Sequence, residues 1–157
     1  MSAVVTEVTR ERRFLQPGHL VVSASPLSVT TILGSCVSVC LWDWQKSVGG
    51  MNHFMLPMLA GFSASSARFG NIAMEELLVK LHDAGARLPF VRARVFGGAC
   101  MFKQMQSPSH LGAKNVGVAL DFLSRRGIEI VQSDVGGNRG RKIIFDTDLG
   151  AVCLNKI

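Results

Sequence analysis

Thr30-Thr31-Ile32-Leu33-Gly34-Ser35-Cys36-Val37-Ser38-Val39-Cys40-Leu41-Trp42 is answered, after a short polar turn, by Val48-Gly49-Gly50-Met51-Asn52-His53-Phe54-Met55-Leu56. Apolar residues alternate with small or polar ones along both runs, the period-two pattern of half-buried strands. Val37, Val39 and Leu41 share one face of the first run, and Cys36, Ser38 and Cys40 share the other. In the second run Phe54 and Leu56 stand opposite Met51, His53 and Met55. Pairing the two antiparallel through the 43–48 turn with Cys36 opposite His53 brings Ser38 to Met51. Directly opposed Cβ atoms then lie roughly 4.5–5.5 Å apart, within thiol–imidazole reach. Gly34 and Ser35 let the backbone turn sharply before Cys36 and aim N–H groups at a bound oxygen.

A thiol beside an imidazole is what nucleophilic cysteine chemistry needs, because the thiolate is the reactive form and a base must generate it. An imidazolium neighbour predicts a Cys36 thiolate populated below the roughly 8.5 of a free cysteine. Two plainer readings stand beside this one. Cysteine is among the most buried residue types, and Cys40, Cys100 and Cys153 sit among apolar or small residues as packing would have them. A zinc site from Cys36, Cys40, His53 and Cys100 is the other, without the tight CxxC spacing of structural zinc sites. His19, His82 and His110 fall near expected element ends and read as solvated.

Further out, strands are expected over 19–23, 29–33, 36–42, 48–56, 90–96, 128–133, 141–145 and 151–154, with a long loop over 57–70. Asn71 is placed to cap a helix whose stripe is Met74, Leu77, Leu78 and Leu81 and which Gly85 ends. A second helix is expected over 112–126, with Val116, Ala119, Leu120 and Leu123 on one face and Gly127 as its stop. Residues 1–16 read as a loose leader and 17–157 as one domain. Strands first, then helices interleaved with strands, make an α+β domain with helices covering its sheets.

The chain has 157 residues, 48% of them hydrophobic and 18% charged, and a net charge of +6. That describes a folded, core-forming chain. No apolar run approaches the ~20 residues a membrane helix needs, and the N-terminus lacks the apolar segment of a secretory signal. A cytoplasmic address with free thiols is expected. A basic surface without Tyr or interleaved aromatics favours an acidic protein partner over nucleic acid. The Gly-Gly pairs at 49–50, 97–98 and 136–137 fit no nucleotide fingerprint and read as tight turns or places where the backbone comes close to a substrate.

From about His19 to Lys156 the sequence resembles the chemoreceptor glutamine deamidases, the CheD family. The resemblance rests on 33–39, on Gly50-Met51-Asn52-His53-Phe54-Met55-Leu56-Pro57, and on Arg68-Phe69-Gly70-Asn71. It extends through Val95-Phe96-Gly97-Gly98-Ala99, 128–134 and Gly136-Gly137-Asn138-Arg139-Gly140-Arg141. It implies a β-sandwich-like core flanked by helices, similar to the catalytic domains of glutamine-deamidating toxins. The nucleophile it implies is Cys36, the base His53, and the third residue Thr30, with Thr31 adjacent. Gly34 and Ser35 would position the oxyanion. The implied substrate is a glutamine on a methyl-accepting chemotaxis receptor, with a CheC-type phosphatase as a partner in some members and no metal or organic cofactor. A receptor methylesterase and a non-enzymatic receptor- or CheC-binding adaptor are the rival readings.

Overall fold

The computed structural model describes residues 8–58, 66–102 and 110–157. In chain order the elements are β1 (Glu11–Phe14), β2 (Leu20–Ser23), β3 (Leu27–Leu33), β4 (Val37–Asp43), β5 (Val48–Asn52) and α1 (Gly70–Asp83). They continue with β6 (Val91–Gly97), α2 (Leu111–Arg125), β7 (Glu129–Val135), β8 (Arg141–Asp146) and β9 (Val152–Lys156). The strands form two sheets, ordered β1-β3-β8-β9 and β2-β5-β4-β6-β7. Both are mixed, with β1 parallel to β3 and β6 parallel to β7. The α+β class expected from the element order is the one observed. Part of the 57–70 loop expectation lies outside the described residues.

Alternation along β4 sorts the core into two layers. Val37, Val39 and Leu41 face the helices, where Met74, Leu77 and Leu81 of α1 and Val116, Ala119 and Leu123 of α2 cover the five-stranded sheet. Cys40 and Trp42 face the other way, against Val29, Leu33, Ile143 and Phe145 of the four-stranded sheet. Fully burying one such aliphatic or aromatic side chain contributes about 1.5–3 kcal/mol. No helix among the described residues is long and apolar enough to cross a membrane.

Three expectations need correction. The leader is not loose throughout: β1 runs beside β3, and Leu15 is buried between the sheets. Asn71 does not cap α1, because Phe69 occupies that position without a side-chain cap and Asn71 lies inside the helix. His110, expected to be solvated, caps α2 instead, its Nδ1 accepting the Ala113 N–H at 3.2 Å.

The hairpin register also differs by two residues. Cys40 pairs with Met51 and Val37 with Phe54, so His53 lies across from Ser38, with Cys36 one diagonal away. The turn sets this. Asp43, buried at the end of β4, accepts the N–H groups of Gln45 and Lys46 at 2.8 and 2.9 Å and that of Arg87 at 2.7 Å. That capping requires residues 44–47 in the turn, with Asp43 opposite Val48. A two-residue shift preserves the facing of every side chain, so the sorting into layers is unaffected.

Candidate active site

Cys36 sits in the turn between β3 and β4, at one end of the layer between the sheets. The carbonyls of Gly34 and Cys36 are taken by the backbone N–H groups of Ala99 and Gly98, at 3.0 and 2.9 Å. Gly97 makes this approach possible. Its φ is +110°, and a Cβ there would run into the Cys36 carbonyl. The 97–98 pair is thus a close approach to the chain's own backbone at the Cys36 turn. Arg141, buried at the start of β8, supports the same region through Asp134 and the carbonyls of Gly97 and Gly136.

Cys36 is partly exposed, whereas His53 is buried to 1% exposure. The imidazole is held from behind. Thr31 Oγ1 lies 2.7 Å from His53 Nδ1 and 2.9 Å from the Leu15 carbonyl oxygen. A carbonyl only accepts, so the single hydroxyl proton of Thr31 goes to Leu15, and Oγ1 accepts from Nδ1–H. Neutral His53 then carries its lone pair on Nε2. Among the described residues that nitrogen has no hydrogen-bond partner, and neither has Ser38 Oγ.

The hydroxyl at His53 therefore belongs to Thr31 and not to Thr30. Inward-facing β3 positions are Leu27, Val29, Thr31 and Leu33, all buried, while Thr30 alternates to the outer face with Ser28 and Ile32. Thr30 instead pairs with Phe14 of β1 and Ile144 of β8. Its hydroxyl is on the wrong side of the strand to orient His53.

Burial sets the protonation states. It pushes the Cys36 thiol up, an effect its own backbone N–H only partly offsets. It pushes His53 down to about 4. Burial thus favours the neutral form of each group over the expected thiolate–imidazolium pair, and no hydrogen bond joins the Cys36 thiol to His53 Nε2. Among the described residues, no backbone carbonyl takes the N–H of Ser35 or Cys36.

Of the remaining thiols only Cys100 lies near this turn, one residue beyond the Ala99 whose N–H the Gly34 carbonyl accepts. Cys40 is fully buried between the sheets, Cys100 is buried at 8% exposure, and Cys153 is exposed on β9. Among the described residues no three His, Cys, Asp or Glu side chains gather as metal ligands, so Cys36, Cys40, His53 and Cys100 are not assembled as a zinc site. Beside the Cys36 turn, a cavity of about 240 Å³ is lined by Ser35, Ala99, Cys100 and Leu111, and by the exposed Met101 and Phe102.

The family model described as CheD chemotactic sensory transduction matches residues 55–156. The chain belongs to the CheD family. Its relatives extend the match toward the N-terminus. A probable chemoreceptor glutamine deamidase CheD of Trichlorobacter lovleyi is 43% identical over 91% of this chain and 89% of its own. One from Anaeromyxobacter dehalogenans is 43% identical over 94% and 86%, and one from Sulfurimonas denitrificans 36% over 94% and 95%.

Two polar residues of this CheD chain escaped the sequence reading. Ser38 was expected to face Met51 but lies across from His53. Asn115 of α2 is buried, and its Nδ2 donates to the carbonyls of Ser35 at 3.0 Å and Met55 at 3.1 Å. A signal for Asn115 existed: it falls on the buried stripe of α2 with Gly112, Val116, Ala119 and Leu123, where an amide is unexpected.

Proposed function

We propose that this chain is a cytoplasmic protein-glutamine deamidase that converts glutamine side chains of methyl-accepting chemotaxis receptors to glutamate, releasing ammonia. The observation that carries the reading is a partly exposed thiol one diagonal from a buried imidazole, whose Nδ1 is tied to Thr31 and whose Nε2 has no hydrogen-bond partner among the described residues. The curated relatives carry the name of that activity.

In this reading Cys36 Sγ attacks the amide carbon while its proton passes to His53 Nε2. The carbonyl π electrons move to oxygen, where the Cys36 N–H donates to the oxyanion. Imidazolium at Nε2 then protonates the departing nitrogen, and collapse of the intermediate expels ammonia and leaves a thioester. Water attacks the thioester, giving its proton to Nε2, and the carboxylate leaves as the thiol is restored. Such acid–base help is typically worth ~10²–10⁴-fold. A neutral resting pair suits the task, since no charge has to be held in a desolvated site before the substrate arrives. Thr31 keeps the proton on Nδ1, which leaves Nε2 free to cycle.

The test is mass spectrometry of purified receptor cytoplasmic fragments incubated with the protein, with glutamine and methyl-ester sites read separately. Amide-to-acid conversion at glutamines that disappears in Cys36→Ala is the expected result. Conversion confined to methyl esters would make it a methylesterase, and binding without conversion would leave an adaptor.

A further inference from the structure

We infer that Asn115 is a positioning residue that aims the oxyanion donor of Cys36 by locking the Ser35–Cys36 peptide plane. The inference rests on the reading of Cys36 as nucleophile. Three consecutive carbonyls of the nucleophile turn, those of Gly34, Ser35 and Cys36, are each hydrogen-bonded within the fold. Backbone N–H groups hold those of Gly34 and Cys36, while a side chain, Asn115 Nδ2, holds the Ser35 carbonyl between them.

A trans peptide is planar, so the carbonyl of Ser35 and the N–H of Cys36 point in opposite directions. Fixing that carbonyl on α2 fixes the Cys36 N–H away from α2, where no backbone carbonyl among the described residues takes it. An oxyanion donor is effective only if its direction is set before charge develops. The same Nδ2 also holds the Met55 carbonyl, two residues beyond His53. One amide group thus ties the chain at the thiol to the chain at the imidazole. Meanwhile Asn115 Oδ1 remains buried without a hydrogen-bond partner among the described residues. A leucine or alanine would suit the buried stripe of α2 better on packing grounds alone, so the amide points to a positioning task.

The experiment compares deamidation with simple alkylation. Iodoacetamide reacts with Cys36 by displacement at carbon and forms no oxyanion, so it reads thiol position and ionisation without the peptide plane. In Asn115→Ala, kcat for deamidation should fall by about tenfold or more, with KM and the Cys36 alkylation rate each within about twofold of wild type. Asn115→Asp, which turns an acceptor toward both carbonyls, should lose at least as much. Unchanged kcat in Asn115→Ala overturns the inference. So does an alkylation rate that falls in step with kcat, since the turn would then have moved as a whole. Should Asn115→Ala fail to fold, Asn115→Ser, with a single donor, carries the same comparison. On the wild type, a peptide aldehyde that adds to Cys36 should shift the Cys36 amide proton downfield, and an unmoved resonance also overturns it. Cys36→Ala in the same assay separates the two readings. If that variant still deamidates, the nucleophile is wrong, whereas a dead Cys36→Ala beside a fully active Asn115→Ala rejects the role of Asn115 alone.

Discussion

The two ends of β4 both bury polar side chains, and they treat them in opposite ways. At the Asp43 end every contact closes. Asp43 accepts three backbone N–H groups, and nearby Thr147 Oγ1 accepts from Leu27 N–H and donates to the Ser25 carbonyl. At the Cys36 end the contacts stop short. His53 Nε2, Ser38 Oγ and Asn115 Oδ1 are the buried side-chain atoms without partners among the described residues, and all three belong to residues around the Cys36 turn. Leaving a buried donor or acceptor unmet costs about 1–3 kcal/mol. A fold tolerates several such atoms in one place where they serve chemistry, and closes polar contacts fully where they serve only structure. The contrast assigns the two ends different work, and it can be broken by measurement.

The largest effect should come from the open end. Cys36→Ala is expected to abolish deamidation while moving the melting temperature little, since a partly exposed thiol leaves almost no cavity behind. Cys40→Ala, Cys100→Ala and Cys153→Ala should each keep substantial turnover. A dead variant among those three, or a live Cys36→Ala, would place the chemistry elsewhere.

Acid should separate the ends by pH. His53 is lowered by burial to about 4 from the usual 6.5, so the unfolded chain takes up a proton where the folded one does not. Stability from this group is complete above pH 6.5 and declines as pH falls toward 4. The expected loss is about 3 kcal/mol, from about 1.4 kcal/mol for each pH unit of that window. Burial alone would push the Asp43 carboxyl up, but the N–H groups of Arg87, Lys46 and Gln45 hold it below the usual range. Its contribution is therefore kept above about pH 4 and lost only below it. Urea unfolding from pH 7 to 3 should show the upper window flattened in His53→Gln and the lower one flattened in Asp43→Asn. A wild-type stability flat between pH 6.5 and 4 would contradict the burial of His53.

Within the open end, Thr31→Val removes the hydroxyl while keeping the branched shape. It should lower kcat by about ten- to a hundredfold, because His53 loses the acceptor that keeps its proton on Nδ1. Thr31→Ser should restore most of the activity, and Thr30→Val should change little. Equal losses at the two threonines would mean that the hydroxyl contact is incidental.

Much of this was legible before any coordinates. Alternation around Cys36 and His53 gave the facing of both strands correctly, and the stripes of α1 and α2 located their buried sides, except that Leu120 of the α2 stripe is exposed. The choice between the threonines was legible too, since Thr31 shares its parity with Val29 and Leu33 and Thr30 with Ser28 and Ile32. What escaped depended on partners distant in sequence. The 11–14 strand, Glu-Arg-Arg-Phe, is exposed along its length and carries no alternation, so only its pairing to β3 reveals it. The hairpin register depends on Asp43 reaching forward to its own turn and on to Arg87. Ion pairing was not legible either: Arg10, Arg92, Arg125, Arg126 and Arg141 each lie against a carboxylate, with the net charge of +6 unchanged.

The smallest expected effect concerns the resting thiol, and it divides the site most finely. A preformed ion pair and a neutral pair both permit thioester chemistry, but they respond differently to pH. Burial pushes the Cys36 thiol up, and the only opposing influence is its own backbone N–H. Neutral His53 supplies no charge to favour the thiolate, and its imidazole stays neutral down to about 4. The rate of Cys36 alkylation by iodoacetamide should therefore rise with an apparent pKa above the roughly 8.5 of a free cysteine. His53→Ala should leave that midpoint nearly where it is while abolishing deamidation, because the imidazole acts on the proton in flight and not on the resting sulfur. A wild-type midpoint well below 8.5 that returns upward in His53→Ala would establish the ion pair instead. The open end would then be held together by charge before substrate arrives, and the distinction drawn between it and the Asp43 end would narrow to one of solvent access.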